Sequence, residues 1–377
     1  MLLKAPAVRA QPDPPFRSVT RQKVRDLGSQ SITAWGANPL SYRLPNTGYL
    51  SRIFVPMRGT ISTGAGTPAG SFNGYPYQPY GSVNNFTVAN NNNNSIVSVS
   101  GWGLALLNLF QERSRQAEGE SIAPWNTTNR AQTFAAPIGA PGGATGTVAA
   151  STAYNVNAGW KIGISTDDVA MFGLQPLQNN ALQSSLIITP AGASAAQGNI
   201  TGVIPTTPAL AIRPSAEFFQ APPWSGSQPD LRFTHGIFED YQAIQAVGQE
   251  TVYRPLPGPV YLRIVVVVEN NGAPVPYGSI TQVAFRHSQS ENPYLETYDQ
   301  HLERTRCLYG FTLPDGVIVY DFASGYGIPG IVEPRDFVDT AQLTDVQIGI
   351  TLASSLTLAG TSQLRVIREF LSNTSPQ

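Results

Sequence analysis

One apolar stretch constrains the fold more than any other part of this sequence. It runs from Val260 to Glu269 as Val-Tyr-Leu-Arg-Ile-Val-Val-Val-Val-Glu, and the turn residues Asn-Asn-Gly follow it at once. So many β-branched residues in a row favour a strand. Further strand-like runs follow at 279–287 and, after Pro-Asp-Gly, at 317–322. Together these runs predict part of a β-sandwich.

A helix is predicted between the second and third of these runs. Asn292 is the candidate N-cap and Pro293 takes the first helical position. One face would then carry Tyr294, Leu295, Tyr298 and Leu302. We expect this stripe to pack on the sheet, with Cys307 buried nearby as a small apolar residue.

The composition favours strands over helices in the rest of the chain. Charged residues make up 12% of the 377 residues, while glycine and proline number 35 and 31. Soluble helices normally carry Glu, Lys and Arg on their solvent face, so a chain poor in charge and rich in turn residues suits many short strands. The length is sufficient for two large β-sandwiches.

Charge and cysteine content exclude several classes of function. A net charge of -1 provides no overall field that would attract nucleic acid or anionic lipid. The one cysteine, Cys307, excludes an intrachain disulfide and a multi-cysteine metal site. The first ten residues lack a long apolar segment, and no run approaches the roughly 18 apolar residues of a membrane span. We therefore expect a soluble protein without a standard secretion signal.

The first 44 residues are predicted to form an N-terminal arm. Six of the 23 basic residues fall within the first 25 positions, and Pro12, Pro14 and Pro15 oppose regular structure there. Two interpretations remain open, a disordered tail or a basic arm that contacts a membrane surface or a neighbouring subunit.

Strand and turn signals divide the rest of the chain in two. The first strand is predicted at 48–61, the run Asn90 to Asn94 is a candidate hairpin tip, and the apolar segment 104–110 is either a strand or a helix. Breaker residues at 222–229 mark the best boundary. The predicted domains are an arm at 1–44, a first sandwich at 45–221, a linker at 222–229 and a second sandwich at 230–377.

The order of parts indicates an internal duplication. Late in the first half come a strand at 160–164, a helical turn near Asp168 and a strand at 182–189. Late in the second half come a strand at 317–322, the segment 335–343 and a strand at 346–352. Two related sandwiches in tandem would account for this order.

The sequence offers no catalytic, cofactor-binding or metal-binding residue. Gly325 to Gly330 matches G-x-G-x-x-G, but Pro329 and Pro334 prevent the helix that would hold a pyrophosphate. The three histidines (His235, His287, His301) lack metal-ligand spacing. The adjacent carboxylates Glu239 and Asp240 would point to opposite faces of a strand, which makes an acid/base pair a poor interpretation.

Several segments resemble the double jelly-roll major capsid proteins of tailless icosahedral bacteriophages with an internal membrane, the tectivirus type. Residues 44–61 resemble the opening strand after the arm, and 160–189 resemble two strands of the first roll joined by a short helix. Residues 294–322 are similar to the corresponding helix and strand of the second roll, and 346–370 fit its last two strands.

The resemblance implies an all-β fold of two jelly rolls in tandem and a non-enzymatic role. It implies a trimer with a pseudo-hexagonal outline that joins neighbouring trimers in an icosahedral virion shell, with minor capsid or penton proteins as further partners. The arm would lie beneath the shell near the internal membrane, with no direct contact to nucleic acid. The protein would be made in the host cytoplasm. The tryptophans and tyrosines leave one alternative, a β-sandwich that binds or cleaves carbohydrate.

Overall fold

The structure is a computed structural model of the 377-residue chain. It describes residues 16, 20–63, 80–90, 94–111, 153–166, 172–177, 183–192, 205–220, 229, 231–287, 291–309, 313–323, 337–341, 343 and 345–373. The linker predicted at 222–229 lies almost wholly outside these residues, as does the glycine motif at 325–330. Of the helical turn predicted at 167–174, residues 167–171 lie outside them too. The domain boundaries therefore stay a prediction.

Strands dominate the described part of the chain. In the first half they are β1 (Arg21–Asp26), β2 (Gln30–Ile32), β3 (Leu40–Arg43), β4 (Tyr49–Thr63), β5 (Val83–Ala89), β6 (Ser95–Val99), β7 (Ala153–Gly163), β8 (Gln175–Pro176), β9 (Ser185–Pro190), β10 (Pro205–Ile212) and β11 (Ser215–Gln220). In the second half they are β12 (Phe233–Ala243), β13 (Glu250–Tyr253), β14 (Val260–Asn270), β15 (Ala273–Pro274), β16 (Ile280–His287), β17 (Glu291–Thr297), β18 (Val317–Asp321), β19 (Val338–Asp339), β20 (Val346–Leu352) and β21 (Gln363–Asn373). The two α-helices described are α1 (Gly101–Gln111) and α2 (Tyr298–Tyr309).

These strands form three sheets. A seven-stranded sheet of the first half has the order β1-β11-β4-β10-β2, with β7 and β8 on the other edge of β4. A ten-stranded sheet begins with β3-β9-β5-β6 from the first half and continues as β12-β21-β14 in the second, where β15, β18 and β19 also pair with β14. The third sheet has four strands in the order β13-β20-β16-β17.

Each half is a sandwich of two sheets, so the expected all-β fold of two jelly rolls in tandem is confirmed. In the first half the seven-stranded sheet faces β3, β5, β6 and β9 across a core that includes Leu50, Phe86 and Ile188. In the second half the four-stranded sheet faces β12, β14, β18 and β21 across a core that includes Ile264 and Phe285.

Strand β14 is buried on both of its faces. Ile264, Val266 and Val268 belong to the core of the second sandwich, whereas Val265 and Val267 point the opposite way into the core that extends from the first half. A strand shows such a continuous apolar run when both faces of its sheet are covered. The layer on the second face includes α1, α2 and the segment after α2, through Phe110, Tyr309 and Leu313.

The helices differ from the sequence prediction in two respects. The open choice for 104–110 is settled, because this segment lies within α1. The predicted N-cap Asn292 is wrong, since 291–297 forms β17 and the helix begins at Tyr298. Thr297 is the capping residue: its hydroxyl accepts the N–H of Gln300, whose side chain accepts the N–H of Thr297, which is a reciprocal capping box. No helix of the described residues is both long and apolar enough to cross a membrane.

The sheet begins earlier than predicted. Strands β1, β2 and β3 lie within residues 1–44, which the sequence analysis assigned to an arm, and they pair with β11, β10 and β9. The prediction failed because Arg-Gln-Lys-Val-Arg-Asp in β1 lacks apolar alternation, and every residue of this edge strand is exposed. The predicted Asn-rich hairpin is confirmed by the antiparallel pairing of β5 with β6 and by the hydrogen bond from Asn90 N to Asn94 O, 2.9 Å.

We expect alanine substitutions on the two faces of the central sheet to be equally costly. Ile264 faces one core and Ile367 of β21 faces the other, and both are fully buried. Ile264→Ala and Ile367→Ala should each lower the free energy of unfolding by about 2–5 kcal/mol, measured by urea denaturation. Leu256→Ala, at an exposed position, should change it by less than about 0.5 kcal/mol. A near-neutral result for Ile367→Ala would contradict the two-sided burial.

Candidate functional site at the junction of the two halves

The two halves meet along one parallel pair of strands. Val97 and Ser98 of β6 pair with Ile237 and Phe238 of β12, and this contact joins the first-half and second-half parts of the ten-stranded sheet. Helix α1 follows β6 directly and places its two ends against charged side chains of the second half. We call this region the junction.

The N-terminal end of α1 is held by residues of β12 and β21. The backbone N–H of Ser100 donates to Glu239 Oε2 at 2.6 Å, while the Ser100 hydroxyl caps the helix by accepting the N–H of Gly103 at 3.0 Å. Arg365 donates to Ser100 Oγ and Glu239 Oε1 at 3.2 and 3.0 Å, and to Glu269 at 2.8 Å. A carboxylate at a helix N-terminus is favourable, because the first N–H groups carry partial positive charge.

Gly103 is required by this close approach. A Cβ atom at this position would lie 2.7 Å from Glu239 Oε2 and 3.0 Å from the Ser100 hydroxyl oxygen. Any other residue would displace the carboxylate that binds the helix. The glycine in the first turn of α1 therefore allows the close contact with the second half. Helix propensity alone would not favour glycine at this position.

The C-terminal end of α1 contacts a second set of charges. Gln111 donates to Glu369 Oε1 at 2.8 Å. The same carboxylate accepts hydrogen bonds from Arg263 and from His235, and Arg263 also contacts Asp321 at 3.2 Å. These four ionisable residues, which we call the Glu369 cluster, are almost completely buried.

His235 connects the Glu369 cluster to the first half. Its Nδ1 lies 3.1 Å from the carbonyl oxygen of Gly163 in β7, and its Nε2 lies 3.1 Å from Glu369 Oε1. Gly163 belongs to the first half, so the imidazole ring of His235 links a strand of that half to Glu369. Burial opposes ionisation of Glu369, but Arg263 and His235 hold the pKa of this carboxyl below its usual value. Arg263 thus pairs with both buried carboxylates, Glu369 and Asp321, where the two halves meet.

A different buried histidine lies at the beginning of α2. His301 Nε2 accepts the N–H of Val319 at 3.1 Å, so its Nδ1 carries the proton and donates to Glu296 at 2.8 Å. Burial, together with the positive charge of Arg304, lowers the pKa of His301. Burial opposes ionisation of Glu296 as well, yet hydrogen bonds from His301 and Arg304 lower its pKa to about 2. This set of contacts ties β17 and α2 to β18.

The structure separates some residues that the sequence singled out and joins others. Glu239 and Asp240 point to opposite faces as expected, with Asp240 accepting from Tyr253 at 2.6 Å. Within the described residues no group of three or more His, Cys, Asp or Glu side chains could hold a metal ion.

Cys307 is exposed, so the prediction that it is buried is wrong, because it lies on the solvent side of α2. Of the tryptophans, Trp102 and Trp160 are buried and Trp35 is half-buried, while positions 125 and 224 lie outside the described residues.

The sequence analysis did not single out Arg263 or Glu369. Arg263 is the one charge among the apolar residues 260–268 of β14, whereas Glu369 lies next to Arg368 in β21. A charge in such a run indicates a buried partner, since an unpaired buried charge is very costly. The arrangement has a structural role: it holds the two halves at one relative position.

Breaking the Glu369 cluster should be strongly destabilising. Arg263→Met leaves Glu369 and Asp321 buried without their cation, so we expect the free energy of unfolding to fall by about 3–5 kcal/mol in urea denaturation. Arg306→Met is the matched control: Arg306 pairs with Glu303 at the surface of α2, where solvent screens the pair, so this variant should leave the free energy of unfolding almost unchanged. Equal costs for the two variants would contradict a structural role for the cluster.

Acid should weaken the contacts of Glu296. Its folded-state pKa of about 2 lies below the ordinary value of 4.5, so its contribution to stability is complete above pH 4.5 and is lost as the pH falls towards 2. Glu296→Gln should therefore flatten the dependence of unfolding free energy on pH in this window. Glu303→Gln, on the exposed side of α2, should leave the slope almost unchanged. A slope that Glu296→Gln does not alter would contradict the assignment.

Comparisons with known proteins place this geometry in a known fold. No protein-family model and no curated protein sequence matches the chain. Among solved structures, the major capsid protein of Sulfolobus turreted icosahedral virus is similar with a TM-score of 0.67 and 15% identity, over 94% of this chain and 97% of that one.

Two further structures are similar along nearly their whole length. The capsid of PBCV-1 gives a TM-score of 0.60 and 10% identity, over 97% of this chain and 96% of that one. The major capsid protein of bacteriophage PM2 gives 0.51 and 11%, over 95% and 99%. The chain therefore has the double jelly-roll fold of viral major capsid proteins.

Proposed function

We propose that this protein is a major capsid protein that assembles into the shell of an icosahedral virion. The observation that carries the proposal is the double jelly-roll fold, shared with capsid proteins over 94% or more of the chain. The building block is a trimer with a pseudo-hexagonal outline, in which three chains contribute six jelly rolls, and neighbouring trimers pack side by side. Its role is structural, and it performs no catalysis.

The junction supports this proposal physically. A shell subunit has to transmit the geometry of one contact to the next, so its two rolls have to keep a fixed relative position. The buried charges at both ends of α1 favour one relative position, because any other would leave charges without partners in the interior. A net charge of -1 also limits electrostatic repulsion between copies.

The N-terminal segment supports the finer proposal of contact with an internal membrane. Arg21, Lys23 and Arg25 alternate along β1 and are all exposed. They continue a segment in which Lys4, Arg9 and Arg17 are also basic. A basic segment of this kind is attracted to anionic lipid headgroups. We propose that it lies at the inner side of the shell, that the virion is that of a bacteriophage, and that minor capsid or penton proteins occupy the vertices.

The proposal predicts trimers in solution. Native mass spectrometry of the purified protein should give a dominant species of three chains of 40.4 kDa each, and electron microscopy of the source material should show icosahedral particles that contain it. Assembly should increase with protein concentration, since association opposes translational entropy. A monomer that stays stable at high concentration, with no particle in the source material, would overturn the proposal.

A further inference from the structure

The outer face of the second half is repeated in the first half. In the second half, Ile237 of β12 lies opposite Glu369 of β21, which lies opposite Arg263 of β14. In the first half the same register is occupied by Val24 of β1, Glu217 of β11 and Arg52 of β4. The two sheets therefore present equivalent positions.

The side-chain contacts repeat as well. Gln22 donates to Glu217 as His235 does to Glu369, and Arg52 pairs with Glu217 at 3.1 Å as Arg263 pairs with Glu369. Two residues beyond Val24, Asp26 pairs with Arg213, and two residues beyond Ile237, Glu239 pairs with Arg365. Both arginines stand four positions before the corresponding glutamate, Glu217 or Glu369.

The repeated sets differ in burial at β1 and β12, whereas Glu217 and Glu369 are both 5% exposed. Ile237 is fully buried, whereas Val24 is 66% exposed. The Glu239 side chain is 4% exposed and that of Asp26 is 47% exposed. In the second half the cover consists of β6 and α1, which pair with β12, bind Glu239 through Ser100 and bind Glu369 through Gln111. In the first half Phe16 packs on Phe219 of the same face, but no described strand pairs with the outer edge of β1.

The second half carries the elements that would fit there. Strand β17 is followed directly by α2, as β6 is followed by α1, and both helices begin at a hydroxyl cap, Thr297 or Ser100. In the described sheets β17 pairs with β16 and forms one end of its sheet, whereas β6 pairs with β12 on its second edge. Leu295 of β17 is 53% exposed.

We propose that β17 and α2 of one copy dock on β1 and β11 of the next copy, in the way that β6 and α1 dock on β12 and β21 within one chain. The inference rests on the proposed function, because it specifies the contact between copies in the capsid building block. Strand β17 pairs in parallel with β1, and Val24 and Leu295 become buried. Asp26 lies at the beginning of the neighbour's α2, as Glu239 lies at the beginning of α1.

The proposed contact accounts for an otherwise unusual strand. Every residue of β1 is exposed, and its outer edge has no described partner strand. Open edges normally favour unwanted pairing and are protected by charge or cover. On β1 the face with Gln22, Val24 and Asp26 is the one that corresponds to the covered face of β12, while Arg21, Lys23 and Arg25 lie on the opposite face.

Site-specific photocrosslinking tests the contact directly. A benzophenone amino acid at position 24, in a mixture of isotope-labelled and unlabelled full-length protein, should crosslink between copies to a peptide within residues 291–309. The same probe at position 256 is the control, because Leu256 is also 66% exposed and lies on neither docking element. It should not crosslink to this peptide.

Charge substitutions provide the second test. Val24→Asp and Leu295→Asp should each convert trimers to monomers at concentrations where the unmodified protein is trimeric, measured by native mass spectrometry. Leu256→Asp should leave the trimer intact. Because all three positions are exposed in one chain, circular dichroism and the urea midpoint of the monomer should stay unchanged.

The outcomes separate this inference from the proposed function. Trimers whose position-24 crosslinks map outside residues 291–309, or whose position-24 probe forms no crosslink, overturn the docking contact and leave the capsid role standing. Trimers that resist both Val24→Asp and Leu295→Asp also overturn it. A protein that forms no oligomer and is absent from particles overturns the proposed function itself.

Discussion

Burial of the central sheet on both faces is the constraint from which the remaining architecture follows. The run Ile264 to Val268 presents apolar side chains alternately to two cores, so a layer has to cover each side of β14. One layer is the four-stranded sheet of the same half. The other includes α1, a helix that the first half contributes, and this makes the two rolls part of one hydrophobic core. A sandwich that shares its core with its neighbour does not behave as an independent domain joined by a flexible linker.

Hydrogen bonds to charged side chains fix the position of α1 in this shared core. Apolar contacts between a helix and a sheet tolerate sliding, because dispersion and hydrophobic burial depend weakly on direction. The carboxylate of Glu239 at the beginning of α1 and that of Glu369 at its end each accept hydrogen bonds of defined geometry. Sliding α1 by one turn would remove both contacts and leave buried charges without their partners. Such clusters add little net stability but oppose alternative positions.

Much of the fold was predictable from local patterns, while the junction was not. The β-branched runs, the Asn-rich hairpin and the tandem order of parts are local signals, and each predicted the element that the structure contains. Pro293 misled the helix prediction, since a proline at the first helical position and one in an edge strand look alike in sequence. The pairing of Arg263 with Glu369 joins residues about a hundred positions apart, and no local pattern specifies such a partner. The charge of Arg263 within the apolar run of β14 indicated that a partner must exist, but not which one.

The parallel pairing of β6 with β12 has a consequence for how assemblies of this kind can grow. Because both strands belong to one polypeptide, this contact forms whenever the chain folds, at any dilution, since the linked halves are always at high local concentration. A ring of six rolls made from two-roll chains therefore needs only three bodies to meet, and it loses translational freedom for three molecules instead of six. The covalent link divides the contacts of such a ring into those that are permanent and those that respond to concentration.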